Sequence, residues 1–325
     1  MSGNVVVVGG ANIDIVAAPS APLKEHDSNP GHSTISFGGV GRNIAENLSR
    51  LGCRVQFVSV FGDDMFSHTL LNDLERKNID VSLCKTIRGR SCSKYICINS
   101  DKGELIAAIN DMSLYDHMHA AITDESIAAM NEADVVVLDA NTSEELLEKI
   151  TLKCSTPIAF DAVSISKIPR CRNILDKLFI FKPNLYEAEE LCKLLEPEND
   201  AFSGKNKFSD EQPDTFSKAS YLSRILRNKG VKNVMISLGK EGIYYENASK
   251  YGIVPSLATD IVNTSGCGDT FLAGAVKGYL EGGDIEAMAK YGSAAAAICA
   301  ASEETVSGKL SPMSVAEVLN RVNAG

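Results

Sequence analysis

The chain has 325 residues, 44% hydrophobic and 23% charged, with 25 Gly and 10 Pro. That balance suits a globular protein and excludes collagen-like, low-complexity or mostly disordered chains. Its 32 basic and 42 acidic side chains give a formal charge of −10, and basic clusters are as short as Arg88-Gly89-Arg90 and Arg170-Cys171-Arg172, so no nucleic-acid or membrane surface is expected.

Met1 to Ala11 lacks a basic start and a long apolar stretch, so no signal peptide is expected. Nor does any run reach 18 apolar residues, the length of a spanning helix. Short apolar runs bounded by turn residues then recur: Val5–Val8, Phe57–Phe61, Val135–Leu138, Ile158–Phe160, Leu178–Phe181 and Val234–Leu238. Such β-branched runs predict strands buried on both faces, as in a parallel sheet. Helical periods lie between them. Ile44, Ala45, Leu48 and Leu51 share a face that Gly52 terminates; Ile127 to Met130 and Leu146 to Ile150 repeat the pattern. Strand–helix alternation predicts an α/β protein with a doubly wound, mostly parallel sheet flanked by helices.

Two regions break the pattern. Asn12–Val16 and roughly Ser93–Asn110 alternate apolar and polar, with Asp101-Lys102-Gly103 as a turn. Period-two alternation marks strands with one wet face, so a small antiparallel accessory sheet over a cleft is expected. The polar, Pro-interrupted stretch Glu196–Ser217 reads as a flexible surface insertion. Nine cysteines show neither a CxxC pair nor zinc-ligand spacing. Reduced thiols in the cytoplasm are the expectation.

The strongest chemical signal is Asn263-Thr264-Ser265-Gly266-Cys267-Gly268-Asp269-Thr270-Phe271, followed by a helical face of Phe271, Leu272, Ala275, Val276 and Tyr279. A Gly-rich loop opening a helix presents unpaired N–H groups at the positive end of the dipole, which makes an anion site. Asp269 falls in the first turn. Alone, it could be a cap. Beside an anion hole, a carboxylate also serves phosphoryl transfer by taking the proton of an accepting hydroxyl. A second loop, Gly38-Gly39-Val40-Gly41-Arg42-Asn43, opens the helix from Ile44. The GxGxxG fingerprint fails because Ile44 holds the third glycine's place, and no GxxxxGK[ST] exists. What remains is a bare glycine surface beside Asn43, suited to close approach of a sugar. On an extended segment Asn12 and Asp14 share a face, and a carboxylate there accepts from two vicinal hydroxyls; the same pair also occurs at turns and rims.

Taken together these motifs resemble the PfkB (ribokinase-like) carbohydrate kinase family. Gly38 to Asn43 with Gly52 and Gly62 resembles its first signature, and NTSGCGDTFLAGA from Asn263 to Ala275 its second. Asn184-Leu185-Tyr186-Glu187 after Lys182-Pro183 resembles its NxxE motif, and Ser237-Leu238-Gly239 with Gly242 its nucleotide-binding turn. The resemblance spans the whole chain. It implies one domain over 1–325, with lid strands from about 12–37 and 90–112. Asp27 to Gly31, Ala108 to Met112, and Phe160 to Ser164 with Lys167 look most like the members that act on pseudouridine.

By this resemblance the chain uses ATP and Mg²⁺ to phosphorylate the 5′-hydroxyl of pseudouridine, in the cytoplasm, as a dimer paired through the lid. Asp269 is the implied base, and the amides of Gly266, Cys267 and Gly268 form the anion hole. Asn12, Asp14, Gly38, Gly39 and Asn43 hold the ribose. Asn184 and Glu187 organise Mg²⁺, and Asn184, Ser237, Gly239, Gly242 and Ser265 the nucleotide. For the uracil ring, with its two N–H donors and two carbonyls, Ser28, Asn29, Asn110, Asp111 and Lys167 offer a matching mixture. Alternatives are another nucleoside (adenosine, inosine, uridine), free ribose, or an idle nucleoside sensor. Several relatives have Asp where Asn263 stands and bind a monovalent cation there; Asn leaves that cation open.

Overall fold

The computed structural model describes residues 3–198 and 214–323. Its strands are β1 (Asn4–Val8), β2 (Asn12–Pro19), β3 (Gly31–Gly38), β4 (Arg54–Val58), β5 (Val60–Phe61), β6 (Ile79–Asp80), β7 (Lys85–Thr86), β8 (Lys94–Asn99), β9 (Leu105–Asp111), β10 (Val135–Asp139), β11 (Ile158–Asp161), β12 (Leu178–Phe181), β13 (Asn233–Ser237), β14 (Ile243–Glu246) and β15 (Tyr251–Val254). The helices are α1 (Val40–Arg50), α2 (Met65–Arg76), α3 (Asp124–Glu132), α4 (Glu144–Lys153), α5 (Leu185–Leu195), α6 (Thr215–Asn228), α7 (Cys267–Leu280), α8 (Ile285–Ala300) and α9 (Pro312–Asn323).

Among the described residues, the main sheet runs β15-β14-β13-β12-β11-β10-β1-β4-β6. Every pair from β13 to β6 is parallel, while β14 and β15 add antiparallel edges. Alternate side chains of β1 serve two cores. Val6 and Val8 join a cluster built with α3, α4, α5 and α6; Val5 and Val7 join one built with α1, α2, α7, α8 and α9. A strand buried on both faces has no polar alternation to show, which is why these segments read as continuous apolar runs.

Two expectations change in detail. Phe57–Phe61 reads as one strand but breaks at Ser59, whose hydroxyl turns aside to donate to the Gly9 carbonyl at 2.7 Å; beyond the break β5 pairs with β7. The accessory sheet, ordered β3-β2-β8-β9, is mixed rather than antiparallel, because β2 and β8 run parallel. They are joined by a long crossover through α1, β4 and α2, and only β2–β3 and β8–β9 are hairpins. Of the expected insertion over 196–217, residues 199–213 lie outside the described residues. Asp214 caps α6, accepting from the Ser217 N–H at 2.8 Å, so Thr215 to Ser217 already belong to that helix. No helix among the described residues is long and apolar enough to cross a membrane.

Candidate active site

In a doubly wound sheet the crevice lies outside the carboxyl ends of the strands, where the chain changes winding direction. Here that point is the β1–β10 junction: the chain leaves β1 towards β4 and returns beyond it as β10. The residues after these strands line up as one row: Gly9 and Gly10 after β1, Asp139 closing β10, Asp161 closing β11, Lys182 after β12 and Ser237 closing β13. Each polar member ends a buried apolar run.

Above this row stands the N-terminus of α7. Gly266 is its cap with φ +77, and Asp269 lies in its first turn. A side chain at 266 would collide with the Thr305 carbonyl, so the sharp entry into the helix demands glycine. Asp269 is half-buried and accepts a 2.8 Å hydrogen bond from the Asn43 amide. Burial, then the nearby Asp161 charge, push its pKa up to about 7, although the Asn43 bond and Lys182 pull the other way. The Cys267 thiol turns back towards α8, with Sγ 3.8 Å from both the Asn263 and the Ala296 carbonyl oxygens. Its pKa is raised by a thiol–thiol hydrogen bond to Cys299 and by burial.

Asn43 arrives on α1, whose cap Gly39 has φ +100 and abuts Gly10 and Ala11 too closely for any side chain. Its orientation is imposed from below. Arg42 Nη1 donates to Asn43 Oδ1 at 3.2 Å, which leaves the side-chain Nδ2 facing Asp269. Arg42 is itself fixed by Glu46 at 2.7 Å and Asp73 at 2.9 Å, both salt-bridged also to Lys77. Asn12 donates to Asp14 at 2.6 Å, so the expected shared face exists. A side chain at Gly38 would strike the Asp14 carboxylate. Burial raises the Asp14 pKa.

On the other flank, Asn184 and Glu187 form a reciprocal capping box on α5: Asn184 Oδ1 accepts from the Glu187 N–H at 2.9 Å, and Glu187 Oε2 from the Asn184 N–H at 2.8 Å. Burial raises the Glu187 pKa. Asn184 bridges Ser237, and the Ser237 N–H donates to the Pro183 carbonyl at 3.0 Å. Gly239 and Gly242, with φ +61 and +107, close the turn that follows. Ser265 is exposed; its N–H donates at 2.9 Å to Asn263, whose amide donates to the Glu303 carbonyl at 3.0 Å.

The remaining expected contacts sit at the lid and beside it. Register puts Asn110 opposite Tyr95 and Tyr95 opposite Asp14, so Asn110 faces the same side as Asp14. Asp111 falls in the next row with Lys94 and Ile13, on the opposite face, where it accepts from the Ser113 hydroxyl at 2.8 Å. Ser28 and Asn29 lie in the β2–β3 connection. Asn29 closes that loop on Lys24 and Asp27, and the Ser28 N–H donates to Asp27 at 2.8 Å. Lys167 is half-buried, donates to Asn141 at 2.6 Å, and has its pKa lowered by burial. Asn141 in turn donates to Asp139, which also accepts from the Gly10 N–H at 2.8 Å. A cavity of about 100 Å³ opens here between Tyr115, Asn141, Lys167 and Arg170. A larger one, about 630 Å³, lies at the opposite end of the strands near Asn4, Arg54 and Glu132, and includes none of these residues.

Sequence reasoning gave no site role to Asp139, Asn141, Arg170 or Tyr115, and quoted Asp161 and Lys182 only as parts of longer motifs. For Asp139, Asp161 and Lys182 a signal existed: each is the polar residue that ends an apolar run in a sheet whose strand ends form the crevice. Among the described residues, no group of three or more His, Cys, Asp or Glu is arranged to cage a metal.

Comparison with known proteins gives a consistent picture. A family model for the pfkB family carbohydrate kinases matches residues 2–311. The pseudouridine kinase of Escherichia coli strain K12 is 33% identical over 284 residues, covering 86% of this chain and 84% of that protein. A guanosine-inosine kinase of Exiguobacterium acetylicum is 26% identical over 305 residues, covering 92% of this chain and 95% of that protein. Arabidopsis thaliana ribokinase, solved with ribose and ATP, superposes with a TM-score of 0.82 at 21% identity over 98% of this chain and 99% of that one.

Proposed function

Since the chain belongs to the pfkB family of carbohydrate kinases, and is thus a phosphotransferase with an alcohol acceptor, we propose that it moves the γ-phosphoryl of ATP onto the 5′-hydroxyl of pseudouridine. The observation that carries this reading is the 2.8 Å bond from Asn43 to Asp269. It joins the glycine surface suited to a sugar with the carboxylate at the head of α7, across 226 residues of sequence.

In the proposed step the acceptor oxygen attacks Pγ and its proton passes to Asp269. The bond from Pγ to the bridging oxygen breaks, and ADP leaves with that electron pair. A base must be ionised to accept, and a pKa near the working pH suits one that takes and then releases a proton. The amides of Gly266 and Gly268 face the charge that develops on the phosphoryl oxygens; the Cys267 N–H, expected there too, donates to the Thr264 carbonyl at 3.3 Å and joins only on releasing it. Asp14, through its carboxylate, and Gly38 and Gly39, through bare backbone, hold the ribose; Ser237, Gly239, Gly242 and Ser265 border the nucleotide. Mg²⁺ keeps much of its water and takes few protein ligands beside phosphates, which the sparse pair Asn184 and Glu187 fits. When bound it neutralises phosphate charge.

The ring subsite is the cavity at Lys167, whose ammonium and Asn141 amide mix donor and acceptor; Asn110, Ser28, Asn29 and Asp111 join only if the lid shifts on binding. The likeness to a guanosine-inosine kinase supports a purine nucleoside as the second reading. Asn263 offers a monovalent cation no carboxylate. Pairing of two copies through the lid is supported by a row of isoleucines, Ile35, Ile15, Ile96 and Ile109, on the face opposite Asp14; Ile35 is 57% and Ile109 66% exposed. Nine free thiols favour a reducing compartment such as the cytoplasm.

Acceptor-dependent ADP release across pseudouridine, uridine, adenosine, inosine and ribose tests the assignment. The highest kcat/KM should be with pseudouridine. Preference for inosine or ribose would transfer the role to that acceptor, and ligand binding with no turnover would leave a sensor.

A further inference from the structure

We propose that Lys182 is a catalytic residue, donating to the transferring γ-phosphoryl from beneath Gly268, and that Asp161 is the positioning residue that aims it. The proposal rests on the kinase reading above and deepens it.

Lys182 follows β12 and is 6% exposed, an unusual place for an ammonium. Its Nζ meets Asp161 Oδ2 at 2.8 Å, and among the described residues that carboxylate is its one ion-pair partner. An ammonium has three donors. The others lie beside the anion loop: Nζ is only 2.9 Å from where a Cβ on Gly268 would stand. So the glycine that bares the loop amides also bares the lysine. Burial opposes the lysine's charge, yet Asp161, Asp269 and Glu187 together raise its pKa, keeping it charged.

Other cations near the cleft are engaged elsewhere. Arg42 is held by Glu46 and Asp73, Lys167 by Asn141, and Arg170 by the Ala140 carbonyl at 2.7 Å. Phosphoryl transfer relies on fixed positive groups placed where charge develops, and among the described residues Lys182 is the one so placed at the loop.

Asp161 is held as a positioning group should be. Its Oδ1 accepts from the Val163 N–H at 2.8 Å, and Val163 has φ +64, a conformation costly for a β-branched residue. The turn that grips the carboxylate therefore stores strain next to the site, as functional loops often do. In the step itself Lys182 keeps its three protons. The acceptor O–Pγ bond forms, the Pγ–O bond to ADP breaks, and the acceptor's proton goes to Asp269.

A purely structural ion pair would look similar, so the test separates the two. Removing one member of a buried pair is destabilising, while replacing both by neutral groups is often tolerated. Lys182→Met should lower kcat by about 10²- to 10³-fold with the nucleoside KM changed less than about threefold, and K182R should restore part of the loss. The double variant K182M/D161N should recover the unfolding midpoint yet remain as slow as K182M. Asp161→Asn alone, which keeps the cation but loosens it, should cost about tenfold. If K182M/D161N returns to within about fivefold of the unaltered kcat, Lys182 merely neutralises Asp161 and the proposal is overturned. Absence of transfer by the unaltered protein to any acceptor would instead remove the kinase reading itself.

Discussion

At the scale of a single residue, the proposed chemistry rests on Asp269. Its carboxyl is surrounded by groups from four elements: Asp161 on β11, Asp139 on β10, Lys182 after β12 and Asn43 on α1. Burial and the two acids win, so its pKa rises to about 7. Only the ionised form can accept a proton, so kcat/KM should fall as pH drops through about 7, read as a midpoint in a pH–rate profile. Asp269→Asn should lower kcat by about 10²- to 10⁴-fold and leave ATP binding nearly intact; a loss below tenfold would count against the role. The same shift has a stability sign. A carboxyl whose folded pKa lies above its unfolded value penalises the folded state once ionised. Asp269→Asn should therefore raise the unfolding midpoint above pH 7, with the gain fading as pH falls towards 4. The place of this residue in the first turn after two glycines was legible, whereas its pKa was not, because Asp139 and Asp161 stand over a hundred residues away in the chain.

One scale up, the unit that matters is the head of α7 meeting the strand ends. Gly268 shows why backbone, rather than side chains, builds this element: it lets amides and the Lys182 ammonium reach the same small volume. Gly268→Val should raise the KM for ATP and lower kcat together, each by about tenfold or more, since the branched side chain enters the space of both; an effect on kcat alone would mean the loop does not bind nucleotide. The loop and helix could be read from the sequence, down to Asp269 in the first turn. Lys182 carried only the weaker signal of ending an apolar run, since a lysine before Pro183 and Asn184 looks like any surface cation until the end of β12 is seen to lie under α7. Likewise Asp111 read as Asn110's companion, yet consecutive residues of β9 point to opposite faces, and pairing with Lys94 sends Asp111 outward.

For the whole molecule the open question is what covers the lid. Strand β9 is exposed along its length, with Leu105 60%, Ile106 49% and Ile109 66% accessible. A row of four isoleucines running across the lid is a surface that a second copy would bury. Ile109→Asp with Ile35→Asp should convert a dimer to monomers in sedimentation velocity, and should raise the acceptor KM because a lid lacking its partner loses support. A protein monomeric before the change would refute the pairing.

The sequence alone determined the α/β class, most strand positions, the two glycine loops and the acid that follows the second, because apolar periodicity and glycine chemistry are local. Strand Leu178–Phe181 could be read to the residue. The tertiary structure decided which polar residues converge. Asp139, Asp161 and Lys182 become neighbours only when parallel strands bring their carboxyl ends to one edge, and the parallel β2–β8 pair follows from a crossover that no local pattern encodes. Local energetics choose the elements; burial of charge, on which the proposed chemistry depends, exists only after they pack.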